Sequence, residues 1–144
     1  MLKYIEIESI IFGGINKMEL KRQKPIVESY YFDMRDPNIE VETKIHAGFA
    51  PFPAPDENYP KENSILAARL QFQVVFPEFM IRGAIGQVNH FINRQVTKQE
   101  DLTKEEANEL VAPLFDMLQR LTYEVTEIVM DQPGINLNFN QENE

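Results

Sequence analysis

The chain has 144 residues, 43% hydrophobic and 26% charged, with no cysteine and a net charge of −9. That size and composition suit one ordinary core and exclude disulfides, thiolate nucleophiles and cysteine-ligated zinc. Residues 1–98 balance 12 basic against 12 acidic side chains while 99–144 hold 2 against 11, and an acidic chain without a basic stripe is a poor match for nucleic acid.

No apolar run approaches the roughly 20 residues that span a bilayer, and the opening MLKYIEIE carries charges inside its first apolar run, so it is no signal peptide. The expectation is therefore a cytoplasmic protein with no membrane partner. A single domain over 1–144 is expected, with 141–144 lacking order.

A first strand is predicted over about 2–20. Ile5 and Ile7 alternate with Glu6 and Glu8, the phase breaks at Ile10-Ile11-Phe12 before Gly13-Gly14, and Met18 and Leu20 resume it. The phase break reads as a bulge or bend within that strand. A less regular stretch follows, up to Asp36-Pro37-Asn38. The second strand is predicted over 39–47, with Ile39, Val41 and Ile45 on one face. GFAPFPAPDENYP (48–60) reads as a stiff loop of four prolines whose aromatics, Phe49, Phe52 and Tyr59, are candidates for peptide recognition.

The third strand, 65–76, alternates most clearly. Leu66, Ala68, Leu70, Phe72, Val74 and Phe76 oppose Arg69, Gln71 and Gln73, the pattern of an antiparallel sheet with one face on the core. A fourth strand, 79–92, is interrupted by Gly83 and Gly86. A helix is predicted over about 104–130. It opens on a Thr103/Glu106 capping box, has an apolar arc of roughly 160° from Ala107 to Val129, and bends at Pro113. Asp131-Gln132-Pro133-Gly134 stops it, and Ile135, Leu137 and Phe139 alternate with asparagines in an extended tail. The fold class is α+β: a four-stranded antiparallel meander with one long bent helix on one face.

Motifs for covalent chemistry are not found. His46 and His90 lie on different predicted strands without metal-site spacing, there is no Walker loop and no G-x-S-x-G, and the carboxylate pairs sit on solvated faces. No catalytic residue, cofactor or metal is expected. Tyr123 and Met130 stand outside the apolar arc of the helix. A thin two-layer design leaves apolar surface for a second subunit or a partner.

The order of four strands, one long helix and an extended segment resembles the bacterial export chaperone SecB, and more closely a group of small, uncharacterised bacterial SecB-like proteins. The residues that carry the likeness are Phe79-Met80 and Gly86 in the fourth strand and Pro113 in the helix. Val125-Thr126-Glu127-Ile128-Val129 near the helix end and Ile135-Asn136-Leu137 beyond it complete the likeness. The chain departs from SecB in having no second helix and no cysteine-bearing zinc tail. The resemblance implies a homo-oligomer, dimer or tetramer, and a hydrophobic groove that holds unfolded or extended polypeptide. The residues assigned to it are Phe49, Phe52, Tyr59, Tyr123, Met130, Ile135, Leu137 and Phe139. The alternatives are an adaptor for one specific folded partner and, lower, a hotdog-like enzyme, which no acid, base or nucleophile constellation supports.

Overall fold

The computed structural model describes residues 4–12 and 16–139, with side chains from Met18 onward. Its strands are β1 (Tyr4–Phe12), β2 (Asn16–Gln23), β3 (Ile26–Met34), β4 (Lys44–Pro51), β5 (Ser64–Val75) and β6 (Phe79–Phe91), followed by the helix α1 (Lys104–Met130). All pairing is antiparallel. β6, whose 13 residues span roughly 40 Å, organises the sheet. β5 lies along one side of it, with β4 beyond. On the other side β2 and β3 run end to end, broken at Lys24-Pro25, and β1 pairs with β2.

Among the described residues the sheet thus has six strands in five positions, which corrects the expected four. The segment expected as one strand over 2–20 is a pair, β1 and β2, joined in antiparallel register from Phe12↔Asn16. The Gly13-Gly14 bend itself, residues 2–3 and residues 141–144 lie outside the described residues. The stretch taken as irregular contains β3, whose register with β6 shifts between Val27 and Ser29. The extra residue, Glu28, is a bulge. Val27 and Tyr30 therefore face the same layer although they are three apart, and period-2 reading fails there.

β4 begins later than the expected 39–47, at Lys44, and takes in Gly48–Pro51 from the segment expected as loop. Ile39 is 60% exposed and outside the sheet. β4 is an edge strand, where a sheet tolerates proline.

The core lies between one sheet face and α1. Leu70, Phe72 and Val74 of β5 and Phe79, Ile81 and Ile85 of β6 meet Leu114 and Leu118, with Tyr30 and Phe32 of β3 packed beside them. Met18, Leu20, Leu66 and Phe91 meet Leu110 and Val96 at the other end. α1 starts on the expected capping box, Thr103 with Glu106, and runs unbroken through Pro113. A proline there removes the N–H that would bond the carbonyl of Glu109, and that carbonyl accepts from Arg22 Nη2 of β2 at 3.3 Å. The helix thereby gains a tie to the sheet where its own ladder is interrupted.

The buried residues of α1 are Glu106, Leu110, Leu114, Leu118, Thr122 and Thr126, every fourth residue. Each step of four turns about 40° further round the helix, so the buried line leaves the apolar arc as the helix crosses the sheet. Over the last two turns threonines face inward. Thr122 Oγ1 accepts from Tyr30 Oη at 3.2 Å, and Thr126 Oγ1 donates to the Thr122 carbonyl at 2.7 Å. Ile128 and Val129 are left 74% and 50% exposed. Asp131 ends the helix at φ 53°, and the tail turns back along it. Ile135 N donates to Thr126 Oγ1, Gln119 Nε2 donates to the Leu137 carbonyl, and the Phe139 ring packs 5.0 Å from that of Phe115.

Candidate polypeptide-binding surface

α1 covers one sheet face, and the strand registers fix what the other face presents. Read across β4, β5, β6 and β3, one row is Lys44, Gln73, Arg82 and Tyr31, and the next is His46, Gln71, Ala84 and Ser29. The third row is Gly48, Arg69, Gly86 and Ile26, and the fourth is Ala50, Ala67 and Val88. Side chains two residues apart share a face, so these rows lie side by side on the outer surface. Large polar groups occupy the first rows. Small ones surround Arg69 in the last two, which leaves a depression.

The Glu28 bulge shapes the boundary between them. It sends the carboxylate over Gly86 to Arg69, with Oε1 2.8 Å from Nη2 and 3.0 Å from Nε. A Cβ on Gly86 would stand 2.8 Å from Glu28 Oε2. Beside this pair is an apolar notch of about 180 Å³ lined by Lys24, Ile26, Phe52, Ala67, Gly86 and Val88 among others. Phe52, 46% exposed, and Ile26 supply its apolar rim. Arg69 also borders a wider trough of about 480 Å³ that holds Tyr31, Lys44, His46, Gln71, Gln73 and Arg82. Arg82 bonds Asp33 at 3.0 Å and stacks 4.4 Å from the centre of the Tyr31 ring. Notch and trough together offer one apolar seat and a run of amide and guanidinium donors, a pattern suited to a chain in extended conformation.

Of the residues singled out from sequence, Phe52 lines the notch. Tyr59 lies beyond it on the same face, where its hydroxyl meets His90 Nδ1 at 3.0 Å. The Gln23 side-chain amide meets His90 Nε2 at 3.1 Å. Burial, with Lys21 nearby, holds the imidazole below its usual pKa. Phe49 points the other way, into the core. Ile135, Leu137 and Phe139 pack on the core from the tail, Met130 ends the helix, and Tyr123 borders a shallow hollow with Gln119, Arg120, Glu124 and Asn136.

Sequence reading missed Ile26, Val88, Arg69, Arg82, Tyr31 and Lys44 as surface residues of one site. Their common face was readable for β5 but not for β3, whose bulge hid it. Among the described residues no group of three His, Asp or Glu side chains is placed to hold a metal, and no helix is long and apolar enough to cross a membrane.

The fold is similar to that of a Mycobacterium tuberculosis SecB-like chaperone, Rv1957, solved in complex with a ChAD peptide from the Rv1956 HigA1 antitoxin. The TM-score is 0.59 at 12% identity, over 85% of this chain and 88% of that one. A nearer likeness is the crystal structure of a protein of unknown function from Streptococcus agalactiae, with a TM-score of 0.74 and 35% identity over 85% of this chain and 98% of that one. No curated protein matches the sequence. Residues 18–139 match the family described as Protein of unknown function (DUF1149), and the chain belongs to that family.

Proposed function

We propose that this protein binds other polypeptides without catalysis, as a SecB-like chaperone of the cytoplasm that holds extended or unfolded segments. The observation that carries this reading is the apolar notch beside Phe52 and Ile26, opening onto a trough of hydrogen-bond donors on the sheet face opposite α1. The shared fold of a chaperone solved with a bound peptide supports it. An extended segment buries an apolar side chain in the notch and satisfies its backbone carbonyls from Arg and Gln side chains along the trough.

The test is a refolding assay. A slow-folding denatured client is diluted with and without stoichiometric protein, in the absence of ATP, and the recovery of native signal is followed. The wild type is expected to retard refolding. Phe52→Ser is expected to weaken retention about tenfold, the effect of losing about 1.4 kcal/mol of apolar burial, with an unchanged circular dichroism spectrum. Refolding kinetics unmoved by the wild type across several clients would sink the reading and favour an adaptor for one folded partner. Phe139→Ser is a poorer probe, because Phe139 packs on Phe115 and the core.

The protein also self-associates through α1 in this reading. Ile128 and Val129 are exposed because the buried line has rotated past them, and such a strip is commonly covered by a second copy. Sedimentation is expected to give a dimer or larger species for the wild type and a monomer for Ile128→Asp/Val129→Ser. One species for both proteins counts against the helix as the interface.

A further inference from the structure

We infer that the outer trough selects acidic segments: extended chains carrying an apolar side chain and a carboxylate four residues apart. This rests on the polypeptide-binding reading and names the chemistry its site recognises. The first observation is charge. Among the described residues, notch and trough are lined by four cationic side chains, Lys24, Lys44, Arg69 and Arg82, and by one carboxylate, Glu28. A second carboxylate, Asp33, is held against Arg82. This excess of positive charge occurs on a chain of net charge −9. Residues 99–139 hold 2 basic and 9 acidic side chains, and the helix and tail among them pack on the opposite side of the sheet. The two faces thus differ in sign, and an acidic ligand is steered to the sheet and repelled from the helix.

The second observation is spacing. The notch sits at the Gly86 row, and the Lys44–Gln73–Arg82 row lies four residues along β6, about 13 Å at strand rise. In an extended ligand, residues four apart point the same way and stand the same distance apart. An apolar side chain seated at the Gly86 row, against Ile26 and Phe52, therefore brings a carboxylate four positions on between Lys44 and Arg82. The existing Arg82–Asp33 and Arg69–Glu28 pairs are solvent-exposed on both partners. Exposed pairs of this kind hold weakly, so each guanidinium retains donors for an incoming carboxylate.

The experiment uses three labelled peptides of about nine residues, long enough to span roughly 30 Å when extended. They are identical except at the position four from a single leucine, which is Glu, Gln or Lys. Binding is followed by fluorescence anisotropy on the full-length protein. The Glu peptide is expected to bind about tenfold more tightly than the Lys peptide at low salt, the gap closing to about twofold near 0.5 M salt, where the screening length is only a few ångströms. Lys44→Glu/Arg82→Glu is expected to reverse the order of Glu and Lys peptides, with its circular dichroism spectrum unchanged. Equal affinity for the three peptides overturns charge selection while leaving polypeptide binding in place. Binding of none overturns both. If the double variant alters subunit number and leaves peptide affinity unmoved, the trough is an interface with a second copy and the proposal falls.

Discussion

Gly83→Ala is expected to destabilise the protein by about 3 kcal/mol or more, the range in which a methyl group is forced into a packed strand pair. A Cβ at Gly83 would stand 2.1 Å from the Ser29 carbonyl oxygen and 2.9 Å from Phe72 Cζ. Neither neighbour has room to yield. Ser29 is backbone in β3 immediately after the Glu28 bulge, and Phe72 is buried in the core. The strands would have to part over several rungs of the β3–β6 ladder. Gly86→Ala is the control, three residues away in the same strand. Its nearest obstacle is Glu28 Oε2, the far end of an exposed side chain, and the next, the Ala68 carbonyl, is at an ordinary 3.5 Å. Its stability is expected to stay within about 1 kcal/mol of wild type, helped by the lower unfolded-state entropy of alanine. Urea unfolding followed by circular dichroism measures both. Equal losses at the two positions would show that the bulge does not force the close approach at Gly83.

The same bulge explains where the sequence was readable and where it was not. β5 was legible because it is central and regular: one face on the core, the other in solvent, so Leu66 to Val74 alternate with Arg69, Gln71 and Gln73. The helix and its capping box were legible because capping chemistry is local, with Thr103 and Glu106 three residues apart. β3 was not, because the residue inserted at Glu28 moves inward-facing positions from Val27 to Tyr30 and destroys the alternation. β4 was displaced because edge position makes Pro51 acceptable, and no local signal announces an edge. Sequence periodicity placed Leu121, Val125, Ile128 and Val129 on one apolar arc with the core residues. Only tertiary crossing decides that Thr122 and Thr126 are the ones buried.

The candidate site follows the same division. Phe52 was found because a proline-rich loop is conspicuous, yet its partners are distributed over three strands, and only the registers bring Ile26, Ala67 and Val88 to one face. The tail residues are candidates for a groove on sequence because they are apolar and extended. Their hydrogen bonds to Thr126 and from Gln119 fold them back onto the helix, which no pattern of alternation reports. What this sheet face presents is thus set by long-range register, and the proposed binding site lies on it.

Arg94→Met is expected to lower stability by about 3 kcal/mol, because it strands a carboxylate in the interior. Glu106 is buried, 4% exposed, at the first turn of α1. Its two oxygens accept from Arg94 Nη1 and Nη2 at 2.7 and 2.9 Å, and Oε1 also accepts from the Thr103 N–H at 2.9 Å. Arg94 Nη2 further donates to the Asp101 carbonyl, which ties the segment before the helix to its start. The hydrogen bonds from Arg94 lower the Glu106 pKa most, the Thr103 N–H lowers it further, and burial acts in the opposite direction. The net shift is below the ordinary value of 4.5. A carboxylate whose folded pKa is depressed contributes stability that is fully present above its unfolded value and lost as pH falls through its folded one. The stability advantage of wild type over Glu106→Gln is therefore expected to be constant from neutral pH down to about 5 and to shrink below that. Arg94→Met/Glu106→Gln is expected to be more stable than Arg94→Met alone, since the stranded charge is gone. Urea midpoints for the four proteins between pH 7 and pH 3 measure all of this. A pH-independent gap between wild type and Glu106→Gln would mean that the pair acts by packing alone, and a double variant no better than Arg94→Met would mean that the buried charge is not what makes the loss of Arg94 damaging.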